Sequence, residues 1–151
     1  MIRKTVISAI AGAIMSLPAH AADLMHKVSP HSVTVTIDRL AAAVEGAGAT
    51  VFARIDHSAG AMDVDLVMRP TELLIFGNPK FGAPAMLDAQ TAGLDLPLRV
   101  LAYADAEGVV HVTYHAPAAL LAPHGLQADA PYVQTMTAAM DKLTSKAIAQ
   151  D

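Results

Sequence analysis

The stretch from Arg69 to Leu98, R-P-T-E-L-L-I-F-G-N-P-K-F-G-A-P-A-M-L-D-A-Q-T-A-G-L-D-L-P-L, constrains the fold more than any other part of the chain. Leu73, Leu74, Ile75 and Phe76 form a continuous apolar run bounded by turn residues, which fits a strand covered on both faces. Gly77-Asn78-Pro79 ends that strand, because Asn78 can hydrogen-bond its own backbone and a residue before proline is pushed out of helical geometry. A short helix from about Pro84 to Gln90 is expected next, with Pro84 in its first turn, where a missing N–H costs nothing. Gly93 stops it, and Leu94 to Leu98 leads into the next strand.

The segments on either side are assigned from periodicity. Leu24 to Val28 reads as a first strand closed by Ser29-Pro30. The run S-V-T-V-T-I from Ser32 alternates like a strand, yet Val33, Ile37, Leu40, Ala41 and Val44 recur at helical spacing. A helix is preferred, with Ser32 as N-cap and Gly46 and Gly48 as the stop. Thr50 to Ile55 makes a strand and Val64 to Met68 an extended piece. Leu98 to Ala104 and Val109 to His115 form a hairpin across Asp105-Ala106-Glu107-Gly108. After a helical turn at Pro117, the last helix is capped by Asp129, carries Pro131 in its first turn and aligns Val133, Met136, Met140, Leu143 and Ala147 in one stripe. The order β-α-β-β-α-β-β-α implies an α+β fold, an antiparallel-rich sheet with helices mainly on one face.

Composition enters at the N-terminus. Arg3 and Lys4 precede an apolar segment from Val6 to Leu17 and then Pro18-Ala19-His20-Ala21, the small-x-small pattern of a signal peptidase site. Residues 1–21 are therefore expected to be a signal peptide cleaved near Ala21, leaving residues 22–151 as a single periplasmic or secreted domain without a membrane span. Losing Arg3 and Lys4 takes the formal charge from -4 to -6, which argues against nucleic acid as a partner. The chain has no Cys, so neither disulfides nor thiol chemistry enter.

Five blocks now acquire a common meaning: S-P-H-S-V at Ser29 to Val33, F-A-R-I-D-H-S-A-G-A at Phe52 to Ala61, R-P-T-E-L-L-I-F-G-N-P at Arg69 to Pro79, G-L-D-L-P-L at Gly93 to Leu98, and H-G-L at His124 to Leu126. Together they resemble the exported bacterial branch of the domain of unknown function 302 family. The resemblance implies a helix after Ser32 and a small domain with a TATA-binding-protein-like arrangement of strands and helices. It implies no catalytic activity. Where the family pattern has G-T-P, this chain has Gly82-Ala83-Pro84, so a capping hydroxyl for the short helix is missing, a loss of roughly 1 kcal/mol if nothing replaces it. Where the pattern has V-W-E and Y-N-D-P, the chain has Ala102-Tyr103-Ala104 and Tyr114-His115-Ala116-Pro117, and two acidic positions are lost.

Four polar residues are the candidate ligand contacts: His57, Arg69, Asn78 and Asp95. Asp56 beside His57 offers a carboxylate and an imidazole, although neighbours in a strand point to opposite faces. Asp95 lies between Leu94 and Leu96, where burial would perturb a carboxyl unless Arg69 or Arg99 pairs with it. Asn78 forms the turn and can touch a ligand. No cofactor and no metal site are expected. His111 and His115 share a strand face but lie about 13 Å apart, too far to hold one ion. Met25, His26 and His31 offer ligands of the kind a copper protein uses. Leu101 and Tyr103 fall on the opposite face from Val100 and Ala102, so both sheet faces carry apolar side chains, and a homodimer is expected. The sequence points to non-catalytic binding of a small-molecule ligand, self-association, or both. The alternatives are a cofactor-free enzyme using His57 and Asp95 as acid and base, with Asn78 orienting the substrate, and a periplasmic copper-binding protein.

Overall fold

A computed structural model describes residues 24–150; the expected signal peptide lies outside them. Five strands form one antiparallel sheet: β1 (Leu24–Ser29), β2 (Thr50–Asp56), β3 (Thr71–Gly77), β4 (Leu98–Ala104) and β5 (Val110–His115), in the spatial order β1-β5-β4-β3-β2. The helices are α1 (Val33–Gly46), α2 (His57–Met62), α3 (Pro79–Asp88), α4 (Pro117–Leu121) and α5 (Pro131–Ala147). The α+β architecture is the expected one.

The helical period wins over the alternating one after Ser32. Val33, Thr36, Ile37, Leu40 and Val44 are buried while Val35 faces solvent, and the Ser32 hydroxyl accepts a hydrogen bond from the Val35 N–H at 3.3 Å. Thr36 tolerates burial because its hydroxyl pairs with that of Ser29 at 2.7 Å and reaches the Ser32 carbonyl. In α5 the stripe Val133, Met136, Met140, Leu143 and Ala147 is buried as read. The cap differs: Pro131 occupies the first helical position, so Ala130 is the N-cap, and Asp129 lies one residue too early.

α1 and α5 pack on each other and share one core with Leu74, Phe76, Leu98, Val100, Ala102, Val112 and Tyr114 of the sheet. At roughly 1.5–3 kcal/mol per fully buried aliphatic side chain, this layer dominates the stability. The strand through Leu73–Phe76 is not covered on both faces. Its burial alternates, with Glu72, Leu74 and Phe76 inward under the helices and Leu73 and Ile75 half-buried on the opposite face. On that outer face the register aligns Val28, His111, Tyr103 and Thr71 in one row and His26, Thr113, Leu101, Leu73 and Ile55 in the next.

Two further expectations are corrected. Residues 64–68 form turns and irregular chain instead of an extended strand. The helix expected at Pro84 begins five residues earlier. Asn78 is its N-cap and Pro79 its first residue, and Pro84 sits inside it. Ala83 is therefore no cap position, and the expected loss of a capping hydroxyl does not arise. Gly93 lies within a 3₁₀ turn, Gln90–Leu94, instead of ending a helix.

Candidate functional site

The end of β3, the start of α3, the start of β4 and the inner side of α5 enclose a cleft of about 260 Å³. The chain has three Phe, and all three line it: Phe52, Phe76 and Phe81. A register shift between Val51 and Ala53 makes Phe52 the extra residue of a bulge, which turns its ring toward the cleft and leaves it 56% exposed. Met86 of α3 and Met136 of α5 add adaptable walls. The cis Leu96–Pro97 peptide forms another side. A Cβ on Gly77 would lie 3.4 Å from the Pro97 ring and 3.6 Å from Phe52, in ordinary contact with both.

Asn78 is the single polar side chain among the described residues of the lining. Both halves of its amide are engaged. Its Oδ1 accepts the Lys80 N–H at 3.0 Å, and its Nδ2 donates to the Gly48 carbonyl at 3.4 Å. It therefore acts as cap and loop tie. Asn78→Ala is expected to cost about 1 kcal/mol, seen as a melting point lowered by roughly 3–5 °C.

The other candidates lie elsewhere. His57 opens α2 at the opposite end of the sheet: Asp56 pairs with Glu72, whereas Gly77, next to Asn78, pairs with Thr50. Six strand residues separate those ends, about 20 Å. The His57 ring is exposed and makes no hydrogen bond among the described residues. Its neighbour Asp56 accepts from the Ser58 hydroxyl and from the Ala59 N–H, capping α2, and these bonds hold its carboxyl below the ordinary carboxylate pKa. Arg69 donates from Nε to the Ala104 carbonyl at 3.1 Å on the outer face.

Asp95 finds one of its two expected partners and a new one. Arg99 Nη2 is 3.5 Å from Oδ1, and His124 Nε2 is 2.7 Å from Oδ2. The other nitrogen of His124 lies 3.0 Å from the Thr91 hydroxyl. A neutral ring donating to Asp95 thus accepts from Thr91. The order hydroxyl, imidazole, carboxylate is that of a nucleophilic triad, but neither the cleft nor the outer groove described below is lined by any of the three. The bond joins the D of G-L-D-L-P-L to the H of H-G-L and ties two loops together. The structure therefore does not bring His57, Asn78 and Asp95 to one cavity.

Among the metal candidates, Met25 and His26 are exposed neighbours in β1 that point to opposite faces of the sheet. His111 bonds Asp105 at 2.7 Å and stacks on Tyr103 with ring centroids 5.2 Å apart. That bond, helped by the Val109 and Glu107 N–H groups, holds the Asp105 carboxyl below its ordinary pKa. His31 bonds the Ala149 carbonyl, and Met136 and Met140 belong to the packed stripe. Among the described residues no three His, Cys, Asp or Glu side chains gather as metal ligands do.

Sequence reasoning passed over Glu72, whose side chain is only 7% exposed. It accepts from the Thr34 hydroxyl and from Arg54, each at 2.7 Å, and Arg54 also pairs with Asp38 of α1. Burial pulls the Arg54 pKa down, and the bonds to Asp38 and Glu72 outweigh it, so the net shift is upward. The network clamps α1 to β2 and β3.

Fold and site together define a small α+β domain with one helix-covered sheet face, one open face and an apolar cleft at the sheet's end. The chain belongs to the DUF302 family, domain of unknown function DUF302, whose profile matches residues 25–145. The crystal structure of the uncharacterized conserved protein DUF302 from Bacillus stearothermophilus superposes with a TM-score of 0.67 at 17% identity, covering 83% of this chain and 94% of that one. Fluoride-specific ion channel FluC 1 of Brucella suis biovar 1 is 40% identical over 140 residues, covering 80% of this chain and 55% of the channel protein. FluC 2 of Brucella melitensis biotype 1 is also 40% identical over 140 residues, with 52% of its length covered. The chain spans about half the length of these curated relatives. Among the described residues no helix is long and apolar enough to cross a membrane.

Proposed function

We propose that this chain is an exported, non-catalytic binding domain that holds a small apolar ligand in the Phe-lined cleft and self-associates through the open sheet face. The observation that carries the ligand reading is the convergence of all three Phe on a cleft with no charged side chain, whose one polar side chain, Asn78, is tied to Lys80 and Gly48. Such a site offers a bound molecule burial and dispersion and no acid, base or nucleophile. An apolar cavity of about 150 Å³ takes up benzene, so one of about 260 Å³ suits a bicyclic aromatic or a short acyl chain.

Fluoride is not the ligand proposed here. A small anion requires several converging N–H or O–H donors to replace its water, and the cleft lining offers one polar side chain, the Asn78 amide, already tied to Lys80 and Gly48. The enzyme alternative draws no support from His57 and Asn78, which lie at opposite ends of the sheet, and the copper alternative is checked by titrating the protein with Cu(I), where saturable binding would favour it.

The test is a titration with N-phenyl-1-naphthylamine, a neutral probe that fluoresces in apolar surroundings. Saturable binding near one probe per chain is expected. Ala139→Trp, which adds an indole to the cleft wall, should weaken it at least tenfold. No saturable signal, or equal binding by the variant, overturns the ligand reading. Export is checked separately, by an intact mass from the periplasmic fraction that starts at Ala22.

A further inference from the structure

We infer that the open sheet face and the arm over residues 62–68 form a two-fold homodimer seam, in which Leu66 and Val67 of each copy enter the groove beside Leu101 and Tyr103 of the other. This names the contact for the self-association proposed above and is independent of the cleft, which lies at the other end of the sheet on its helix-covered side.

The arm carries Met62, Val64, Leu66, Val67 and Met68, all exposed, and Val67 is completely so. Asp65 turns the chain at a φ of 57° and so begins the Leu66–Val67 projection. Immediately after it, Met68 and Arg69 descend onto the outer face and line a groove of about 330 Å³ with Thr71, Leu101, Tyr103 and Ala104. A projection and a hollow thus sit side by side on one surface. That is the requirement of an isologous contact, where a two-fold axis sets each copy's projection over the other's hollow.

Charge and area favour a second copy over other occupants. The arm bears Asp63 and Asp65, and Arg69 lines the groove, so one surface holds both signs and complements itself. Two carboxylates on the projecting arm oppose entry into an anionic membrane. Burial worth about 1.5–3 kcal/mol per side chain at about 25 cal/mol per Å² corresponds to roughly 60–120 Å² each. The five arm side chains with Ile55, Leu73, Ile75, Leu101 and Tyr103, partly covered already, then offer on the order of 600 Å², most of the roughly 800 Å² that each partner buries in a standard interface.

Light scattering of the purified protein at tens of micromolar should give the mass of two chains. Val67→Asp changes a side chain that touches nothing in the monomer, so it should fold normally by circular dichroism, run as one chain and still bind the naphthylamine probe. Because the chain has no Cys, mixing Val67→Cys with Leu101→Cys protein under mild oxidation should yield a disulfide-linked pair that neither variant forms to the same extent alone. A wild-type monomer overturns the inference, whether or not it co-sediments with phosphatidylglycerol vesicles. So does a dimer that survives Val67→Asp or gives no mixed disulfide. Loss of probe binding with the dimer intact overturns the cleft reading alone.

Discussion

Replacing Arg54 with Met is expected to destabilise the domain by about 2–4 kcal/mol, read as a fall of about 1–2 M in the urea midpoint. The argument starts from Glu72, an inward-facing carboxylate in β3 with almost no solvent. Arg54 gives it two guanidinium nitrogens, and without them only the Thr34 hydroxyl remains. Removing one partner of a buried ion pair typically costs about 3–5 kcal/mol. The lower range applies here because Arg54 is 36% exposed and lies on the edge strand, where water can replace part of the interaction. The double variant Arg54→Met, Glu72→Met should be more stable than Arg54→Met alone, since it removes the stranded charge. A single variant within 0.5 kcal/mol of wild type would show that the clamp between α1 and the sheet contributes nothing.

The elements that could be read from sequence are those where one physical signal dominates. α5 shows its stripe through Val133, Met136, Met140 and Leu143, and the β4–β5 hairpin shows two apolar runs across a Gly-ended loop. After Ser32 two periods competed and the helical one is right; the buried hydroxyl of Thr36 shows why the alternation was only apparent, since a threonine bonded to Ser29 can occupy a core position. The start of α3 had two proline candidates. Asn78-Pro79 is the better one on capping grounds, because asparagine can accept a backbone N–H and Ala83 cannot. In α5 the proline position decides instead: Pro131 takes the first helical position, so the cap falls on Ala130, which offers no side-chain acceptor, and not on Asp129.

The site was much less legible, because its residues come from separate segments. Phe52, Phe81 and Met136 are united only by the closing of the sheet; Phe81 stands beside Gly82, but nothing local in the sequence marks Phe52 or Met136. Asn78 was found, for the turn more than for a ligand. Asp95 was singled out correctly as a residue needing a partner, yet His124 lies 29 residues away and no local pattern points to it. The open apolar face was legible from the two-residue period, since Leu101 and Tyr103 must oppose Val100 and Ala102.

Phe76→Ala is expected to cost about 3–5 kcal/mol, and a small apolar ligand should recover part of that loss. Phe76 faces two ways: it is 3% exposed within the α1–α5 core, and it forms the floor of the cleft. Truncation removes burial from the first and enlarges the second. A ligand at 100 times its dissociation constant stabilises any folded protein by about 2.7 kcal/mol; in the variant the same concentration of benzene should stabilise more than in wild type, because the ring fills the new volume. Arg54→Met supplies the control: it is destabilised by a comparable amount but opens no apolar cavity and does not line the cleft, so it should show no more benzene stabilisation than wild type. Melting curves with and without benzene decide the matter. Greater recovery in Phe76→Ala alone supports a cleft that binds apolar molecules through its Phe floor, and equal recovery in all three proteins means that the bound molecule sits somewhere else.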